Sequence, residues 1–184
     1  MLRLCSTSCV RQRILSSFGI PFIVSENGFD EEQLCSKSPK AFAYAAALGK
    51  HQSALKQYGL ELPLLIADSV VSCNGILQRK AKDQAQARAF LRAQSGGVAS
   101  VISCAVLHLE KFFYVNVSQT HFEFGEFNEE AMESYLQSNA WRNKAGAVMV
   151  EGFHQKYIKK QIGTTSNALG LPMESLLPFL KGIV

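Results

Sequence analysis

The sequence predicts an α/β protein, because short apolar or β-branched runs alternate with segments of helical periodicity. Three stretches carry that prediction. Ser38-Pro39, a cap followed by a proline suited to the first helical position, opens a long helix that runs to about Tyr58 and stops at Gly59. Leu64, Leu65 and Ile66, followed by Val70 and Val71, read as a strand buried on both faces. Val98 to Leu109 and Phe112 to Phe124 read as two long strands joined at Glu110-Lys111.

The remaining elements follow in order. Leu2 to Cys5 is a short strand, Ser6-Thr7-Ser8 a hydroxyl-rich turn, and Val10, Ile14, Leu15 and Phe18 mark a helix closed by Gly19. Ile20 to Val24 is a second strand, and the stretch from Gly28 to Glu32 an acidic loop. After the Leu64 strand, Cys73-Asn74-Gly75 signals a reversal that returns Ile76 to Gln78 beside it. Asp83 caps a helix ending at Ser95-Gly96-Gly97, and Asn128-Glu129-Glu130 starts another with negative charge in its first turn. Residues 139–152 are expected to turn into a strand, with Trp141 either a packing anchor, the favoured reading, or a base-stacking surface. Tyr157 to Ile162 is a strand, residues 164–172 a loop, and Met173 to Leu180 a closing helix. Repeats and low-complexity segments are absent.

Bulk properties narrow the function classes. A chain of 184 residues suits one domain, or two small lobes sharing one sheet. With 47% hydrophobic and 18% charged residues it is an ordinary globular chain and not a disordered one. The net charge of +4 comes with no basic block longer than Lys159-Lys160, so a stable nucleic-acid partner is not expected, whereas a local anion site is compatible. Five cysteines, odd in number and without a Cys-x-x-Cys pair, argue against a disulfide framework or zinc site and for reduced, buried thiols. No apolar run approaches a membrane span and the N-terminus lacks a signal-peptide core, so the expectation is a cytoplasmic protein with no membrane partner.

Asp68 lies in the middle of the most apolar strand. A carboxylate there needs a partner, a metal or a cavity, since desolvating it alone costs too much. It is either a strand-end residue accepting backbone N–H groups or one member of a site. The reversal at 73–75 favours the second reading by bringing Lys80 to the same edge. Ser6, Ser8 and Arg11 at a helix N-terminus could likewise be a cap with a solvated cation, or a cradle for phosphate. Lys50 is either a solvated charge or a second phosphate clamp. Glu31, in an acidic loop, has no role on its own.

Taken in order, these pieces resemble the Maf family of nucleotide pyrophosphatases. The residues that carry the resemblance are CSTS at 5–8 with Arg11, Phe29-Asp30-Glu31, Lys50, ADSVV at 67–71 and Lys80. They continue through Ser95-Gly96, Lys144-Ala145-Gly146 and Glu151-Gly152 to SNALGLP at 166–172. The resemblance covers nearly the whole chain as a single domain, residues 1–184. It implies an elongated mixed central sheet with flanking helices and two lobes around a cleft. It also implies an enzyme, dependent on a divalent metal cation (Mg or Mn), that hydrolyses a nucleoside triphosphate substrate to monophosphate and pyrophosphate, often as a homodimer. Members of the family are associated with clearing modified nucleotides and with restraining cell division. By position, Asp68 resembles the proton acceptor, and Asp68 with Glu31 the metal ligands. Ser6, Ser8, Arg11, Lys50 and Lys80 resemble the phosphate clamp, and Val10, Ser69 and Glu151 the residues that face the base.

The chain departs from the family in several places. Cys9 and Val10 replace a proline and an arginine, Ser69 replaces threonine, and Ala81 replaces the proline that stiffens the loop after Lys80. Glu151 stands where pyrimidine-selective members have glutamine. An ionised glutamate only accepts hydrogen bonds, which suits the adjacent N1–H and 2-amino donors of guanine and opposes the carbonyls of uracil. A second family branch, acting on 7-methyl-GTP, resembles Glu-Gly-Phe at 151–153. The expectation is a guanine-type base. The alternative is a non-catalytic nucleotide-binding regulator, in which the lost arginine leaves binding without turnover.

Overall fold

The computed structural model describes residues 1–182. Its seven strands are β1 (Leu2–Leu4), β2 (Phe22–Val24), β3 (Leu64–Cys73), β4 (Ile76–Gln78), β5 (Val98–Leu109), β6 (Phe112–Phe124) and β7 (Ile158–Ile162). They form one mixed sheet in the order β2-β1-β3-β5-β6-β7, with β4 on β3. The helices are α1 (Cys9–Ser17), α2 (Pro39–Tyr58), α3 (Gln84–Gln94), α4 (Glu129–Gln137), α5 (Thr165–Ala168) and α6 (Met173–Leu180). The α/β class with an elongated mixed sheet and flanking helices is therefore the observed architecture.

The pairing of β3 positions the site. One of its edges is paired to β5 along its whole length, from Leu64 opposite His108 to Cys73 opposite Ala99. Its other edge meets β1 only at Leu64 and Leu65, and β4 only at Val71 to Cys73. Residues 66–70 between them face no neighbouring strand on that edge, and Asp68 is at the centre of the gap. Because successive side chains point to opposite faces, Leu64, Ile66 and Val70 pack with Phe42, Ala43 and Ala46 of α2, whereas Leu65 and Ala67 pack with Ile14 and Leu15 of α1 and Leu176 of α6. Asp68 thus takes the α2 side and Ser69 the α1 side.

A third apolar cluster, containing Leu91 of α3, Leu136 of α4, Phe122, Phe124 and Trp141, forms the second lobe at the far end of the sheet. Trp141 is the packing anchor expected, its indole N–H donating to the Leu136 carbonyl at 2.9 Å. Helix α2 begins and ends as its sequence dictates. Ser38 accepts from the Ala41 N–H, Pro39 opens the first turn, and Gly59 at φ +60 closes it.

Several expectations are corrected. Residues 139–152 form successive turns and not a strand, with a bridge between Ala145 and Lys80 as their one strand-type pairing among the described residues. Asn139, Asn143, Gly146 and Ala147 all have positive φ there, which no strand accommodates. The stretch after β7 contains the short helix α5, capped by Thr164, and is not wholly a loop. All five cysteines are free, but only Cys5, Cys73 and Cys104 are buried, while Cys9 and Cys35 are exposed. Among the described residues no helix is long and apolar enough to cross a membrane.

His154 is fully buried in the second lobe, and desolvation pushes its imidazole from 6.5 down to about 3. The unfolded chain therefore binds a proton below pH 6.5 that the folded chain refuses until about pH 3, so stability falls as pH drops through that window. Between pH 7 and pH 5 this amounts to about 2 kcal/mol. Urea denaturation at the two pH values should show that loss in the native chain, and a smaller one in His154→Gln.

Candidate active site

All ten residues singled out from the sequence line one cleft of about 700 Å³: Ser6, Ser8, Val10, Arg11, Glu31, Lys50, Asp68, Ser69, Lys80 and Glu151. They come from α1 and its preceding turn, the 26–31 loop, α2, β3, the segment after β4, and the 143–151 turns. The gap in the β3 edge is what lets these segments meet.

At the floor, Asp68 is 5% exposed. Its carboxylate accepts from the Lys50 ammonium, which also lies 2.5 Å from a Glu31 oxygen. Lys50, not Lys80, is thus the direct partner of Asp68, because α2 packs on the face to which Asp68 points. Lys80 lines the same cleft, and its backbone is held by the bridge to Ala145, so the loop lacking proline after Lys80 is anchored by pairing instead.

Glu31 is fixed by contacts that its sequence context does not reveal. Asn27 accepts from the Phe29 N–H and donates to the Lys50 carbonyl at 2.6 Å, tying the acidic loop to α2. The Phe29 ring occupies the notch at Gly49, where a Cβ would come within 2.2 Å of it. Arg79 lies 3.5 Å from Glu31 and 3.1 Å from Glu32, with its guanidinium over the Phe42 ring. Sequence reasoning missed both Asn27 and Arg79. Asn27-Gly28 was available as a turn signal, whereas nothing local marks Arg79.

Arg11 is held from three sides. Its Nε donates to the Gly170 carbonyl at 2.8 Å, Nη1 to Ser6 Oγ at 3.0 Å and Nη2 to Ser69 Oγ at 3.1 Å. Three of its five N–H groups are used and two remain. Ser69 Oγ in turn lies 2.9 Å from Ser103 Oγ, whose hydroxyl donates to the Asn167 carbonyl at 3.1 Å. The Ser69 hydroxyl therefore serves Arg11, and Ser103 is a buried supporter that its apolar strand concealed. Gly170, at φ +95, approaches both Arg11 and Ser69, and a Cβ there would sit 3.1 Å from Ser69 Oγ. Ser8 is the N-cap of α1, accepting from the Arg11 N–H, and also lines the cleft. At the rim, Lys144 donates to Glu151 at 3.1 Å.

These contacts separate the two carboxylates electrostatically. Burial pushes Asp68 above the ordinary carboxylate range; Lys50 opposes the shift and Glu31 adds to it. Burial would also raise Glu31, but Lys50, Lys80 and Arg79 bring it below that range. The Arg11 guanidinium is lowered by desolvation, against the pull of Asp68 and Glu31. Asp68 is thus the more basic of the two carboxylates, and Glu31 the one more firmly held ionised.

Among the described residues, no three His, Cys, Asp or Glu side chains converge to hold a metal unaided. Glu31 and Asp68 nevertheless converge on a single cation, the Lys50 ammonium. Two hard oxygen donors at one point fit Mg²⁺ or Mn²⁺, which binds through one or two carboxylates and completes its shell with phosphate oxygens and water.

Fold and cleft together define an α/β protein in which a buried carboxylate and a half-buried one are walled by cations from distant segments. A family model described as Maf-like protein matches residues 1–183. A nucleoside triphosphate pyrophosphatase from a Nitratiruptor species is 43% identical over 185 residues, covering 100% of both chains. One from Helicobacter pylori is 37% identical over 176 residues, covering 96% of this chain and 93% of that one. A solved structure, the nucleoside-triphosphatase / dITP/XTP pyrophosphatase of Mycobacterium abscessus, aligns over 100% of this chain and 97% of that chain at a TM-score of 0.46 and 16% identity. The chain belongs to the Maf-like protein family.

Removing Lys50 leaves a carboxylate buried without its direct partner. Lys50→Met should therefore lower stability at pH 8 by on the order of 3 kcal/mol. The loss should shrink as pH falls and Asp68 takes up a proton, and most of it should be recovered in Lys50→Met/Asp68→Asn. Urea denaturation across pH reads both effects.

Proposed function

We propose that the chain is a metal-dependent nucleoside triphosphate pyrophosphatase, hydrolysing NTP to NMP and pyrophosphate. The observation that carries this reading is the juxtaposition of Asp68, its pKa raised by burial, with Arg11, Lys50 and Lys80 in one cleft. A triphosphate brings several negative charges, and attack by water needs them offset.

In this reading the phosphates lie against the N-terminal turn of α1, with Ser6 and Ser8, and against Lys50, Lys80 and the two remaining N–H groups of Arg11. Asp68 accepts the proton of a water whose oxygen attacks the α-phosphorus. The bond from that phosphorus to the bridging oxygen breaks, and pyrophosphate departs with the electron pair. A raised pKa makes Asp68 a better proton acceptor than an ordinary surface carboxylate. Asp68 and Glu31 would hold a divalent cation, Mg²⁺ or Mn²⁺, which offsets charge on the phosphates. Glu31, held ionised by Lys50, Lys80 and Arg79, suits that part.

The base lies toward Val10, Val148 and the Lys144–Glu151 pair. An ammonium beside a carboxylate offers a donor next to an acceptor. Guanine presents the complement on one edge, the O6 acceptor followed by the N1–H and 2-amino donors. Uracil matches O4 and N3–H, but its O2 would face the carboxylate. This favours a guanine-type base, standard or modified, over uracil or thymine, with Val10 contributing apolar contact.

Purified protein should release pyrophosphate from a nucleotide panel when Mg²⁺ or Mn²⁺ is present, and Asp68→Asn should cut the rate by roughly a hundredfold or more. GTP and 7-methyl-GTP should be cleaved faster than UTP and dTTP, with Glu151→Gln narrowing the difference. Tight nucleotide binding with no pyrophosphate under any metal condition would instead indicate a regulator. Faster cleavage of UTP would sink the base assignment.

A further inference from the structure

Behind the 143–151 turns lies a polar chain that the proposed chemistry does not use. His154 and Gln94 are fully buried and Gln78 is 4% exposed. The Met149 N–H donates to His154 Nδ1 at 3.1 Å, so that nitrogen is the unprotonated one and Nε2 carries the hydrogen. Nε2 then donates to Gln94 Oε1 at 2.9 Å. This fixes the orientation of the Gln94 amide, whose nitrogen donates to Gln78 Oε1 and to the Gly146 carbonyl, each at 2.8 Å. Both amide hydrogens, both imidazole nitrogens and the Gln94 oxygen are used in one direction along the chain.

The two ends of this chain grip the two segments that bring Lys144, Glu151 and Lys80 to the cleft. Gly146 and Met149 lie between Lys144 and Glu151. Gln78 ends β4 two residues before Lys80, and the Gly146 N–H donates to the Arg79 carbonyl at 2.9 Å. The 139–152 segment has no strand pairing of its own beyond the single bridge at Ala145. Apolar packing of Trp141, Ala147 and Val150 seats it, and these buried bonds, with the Tyr135 hydroxyl on the Ala147 carbonyl, hold the backbone of the turns between them. A segment whose sole purpose was to fill the second lobe could use apolar side chains there, without the desolvation cost of two amides and an imidazole.

We propose that Gln94 and His154 are positioning residues for nucleotide recognition: they set the turns that present Lys144 and Glu151 opposite Lys80. The proposal rests on the pyrophosphatase reading of the cleft. Neither residue touches the substrate; each acts through the backbone of Gly146 or Met149. Desolvation keeps the His154 imidazole neutral, so the direction of the chain does not reverse between pH 5 and pH 9.

The test compares Gln94→Met, Gln78→Met and His154→Phe with the native chain, using steady-state hydrolysis of GTP and UTP and amide hydrogen exchange. The less buried Gln78 guards against a Gln94 or His154 variant that fails to fold. The expected result is a KM for GTP raised roughly tenfold or more with kcat within about twofold, and a reduced GTP-to-UTP preference. Exchange should quicken in residues 143–151 while β3 and β5 stay protected. Glu151→Gln, which alters base preference in the native background, should alter it little in Gln94→Met, since both changes act on one contact. Unchanged KM and preference in folded variants, or a Glu151 effect that is fully additive, would overturn the positioning role and leave the pyrophosphatase reading intact. A native chain that neither binds nor hydrolyses any nucleotide would overturn both.

Discussion

The structure turns on one ammonium between two carboxylates. Lys50 joins Asp68, on the most buried strand of the sheet, to Glu31, on a loop that has no regular structure beyond one 3₁₀ turn. An ionised Asp68 could not remain in that strand alone, because the Born cost of a bare buried charge far exceeds the net stability of a domain. Lys50 compensates it from α2, and the same ammonium holds Glu31 over the cleft. The interaction is a weak source of stability by itself, since both groups lose hydration to form it. Its consequence is chemical: two acids in one pocket with pKa values driven apart.

That arrangement depends on an irregularity of the sheet. A β3 edge paired along its full length would close over residues 66–70 and leave Asp68 in a dry interior. Instead β1 stops early and β4 starts late, so one strand edge is open where the carboxylate sits. The edge is not left as a template for aggregation, because α1, α2 and the 143–151 turns wall it into a concave site. Alternation along β3 then gives neighbouring residues different work: Asp68 faces Lys50, and Ser69, one residue on, faces Arg11 and the Gly170 carbonyl. Two networks, one around the Lys50 ammonium and one of hydroxyls and a backbone carbonyl around the Arg11 guanidinium, converge from opposite faces of one strand.

Legibility from the sequence followed the range of the interactions involved. Helix α2 was readable at both ends because its cap, its proline and its terminal glycine are all local. The hairpin of β5 and β6 and the return of β4 were readable from turn residues and apolar runs. The 139–152 segment was misread because its glycines and apolar residues mimic a turn and a strand. What shapes it is four positive-φ residues and buried hydrogen bonds with Gln94, remote in sequence, and with His154 and Tyr135, which flank the segment but carry no local signal of that role. Asp68 could be singled out by its apolar setting, but its partner could not. Lys80 was the cation that the reversal at 73–75 pointed to, whereas Lys50 was the one on the helix packed against the correct face.

By itself, then, the sequence determined most of the strands and the longer helices, both ends of α2, the conflict of a carboxylate inside an apolar strand, and the order of motifs shared with a family. These depend on residue type, spacing and capping, which act over a few residues. Only the tertiary structure decided which cation answers Asp68, that Arg79 and Asn27 hold the Glu31 loop, that Ser69 is committed to Arg11, and that a buried glutamine and histidine govern the turns carrying Lys144 and Glu151. Most of those pairings join segments from separate parts of the chain. Which of several available partners meets which group is settled by how the faces of the sheet and helices pack, and no local pattern encodes that choice.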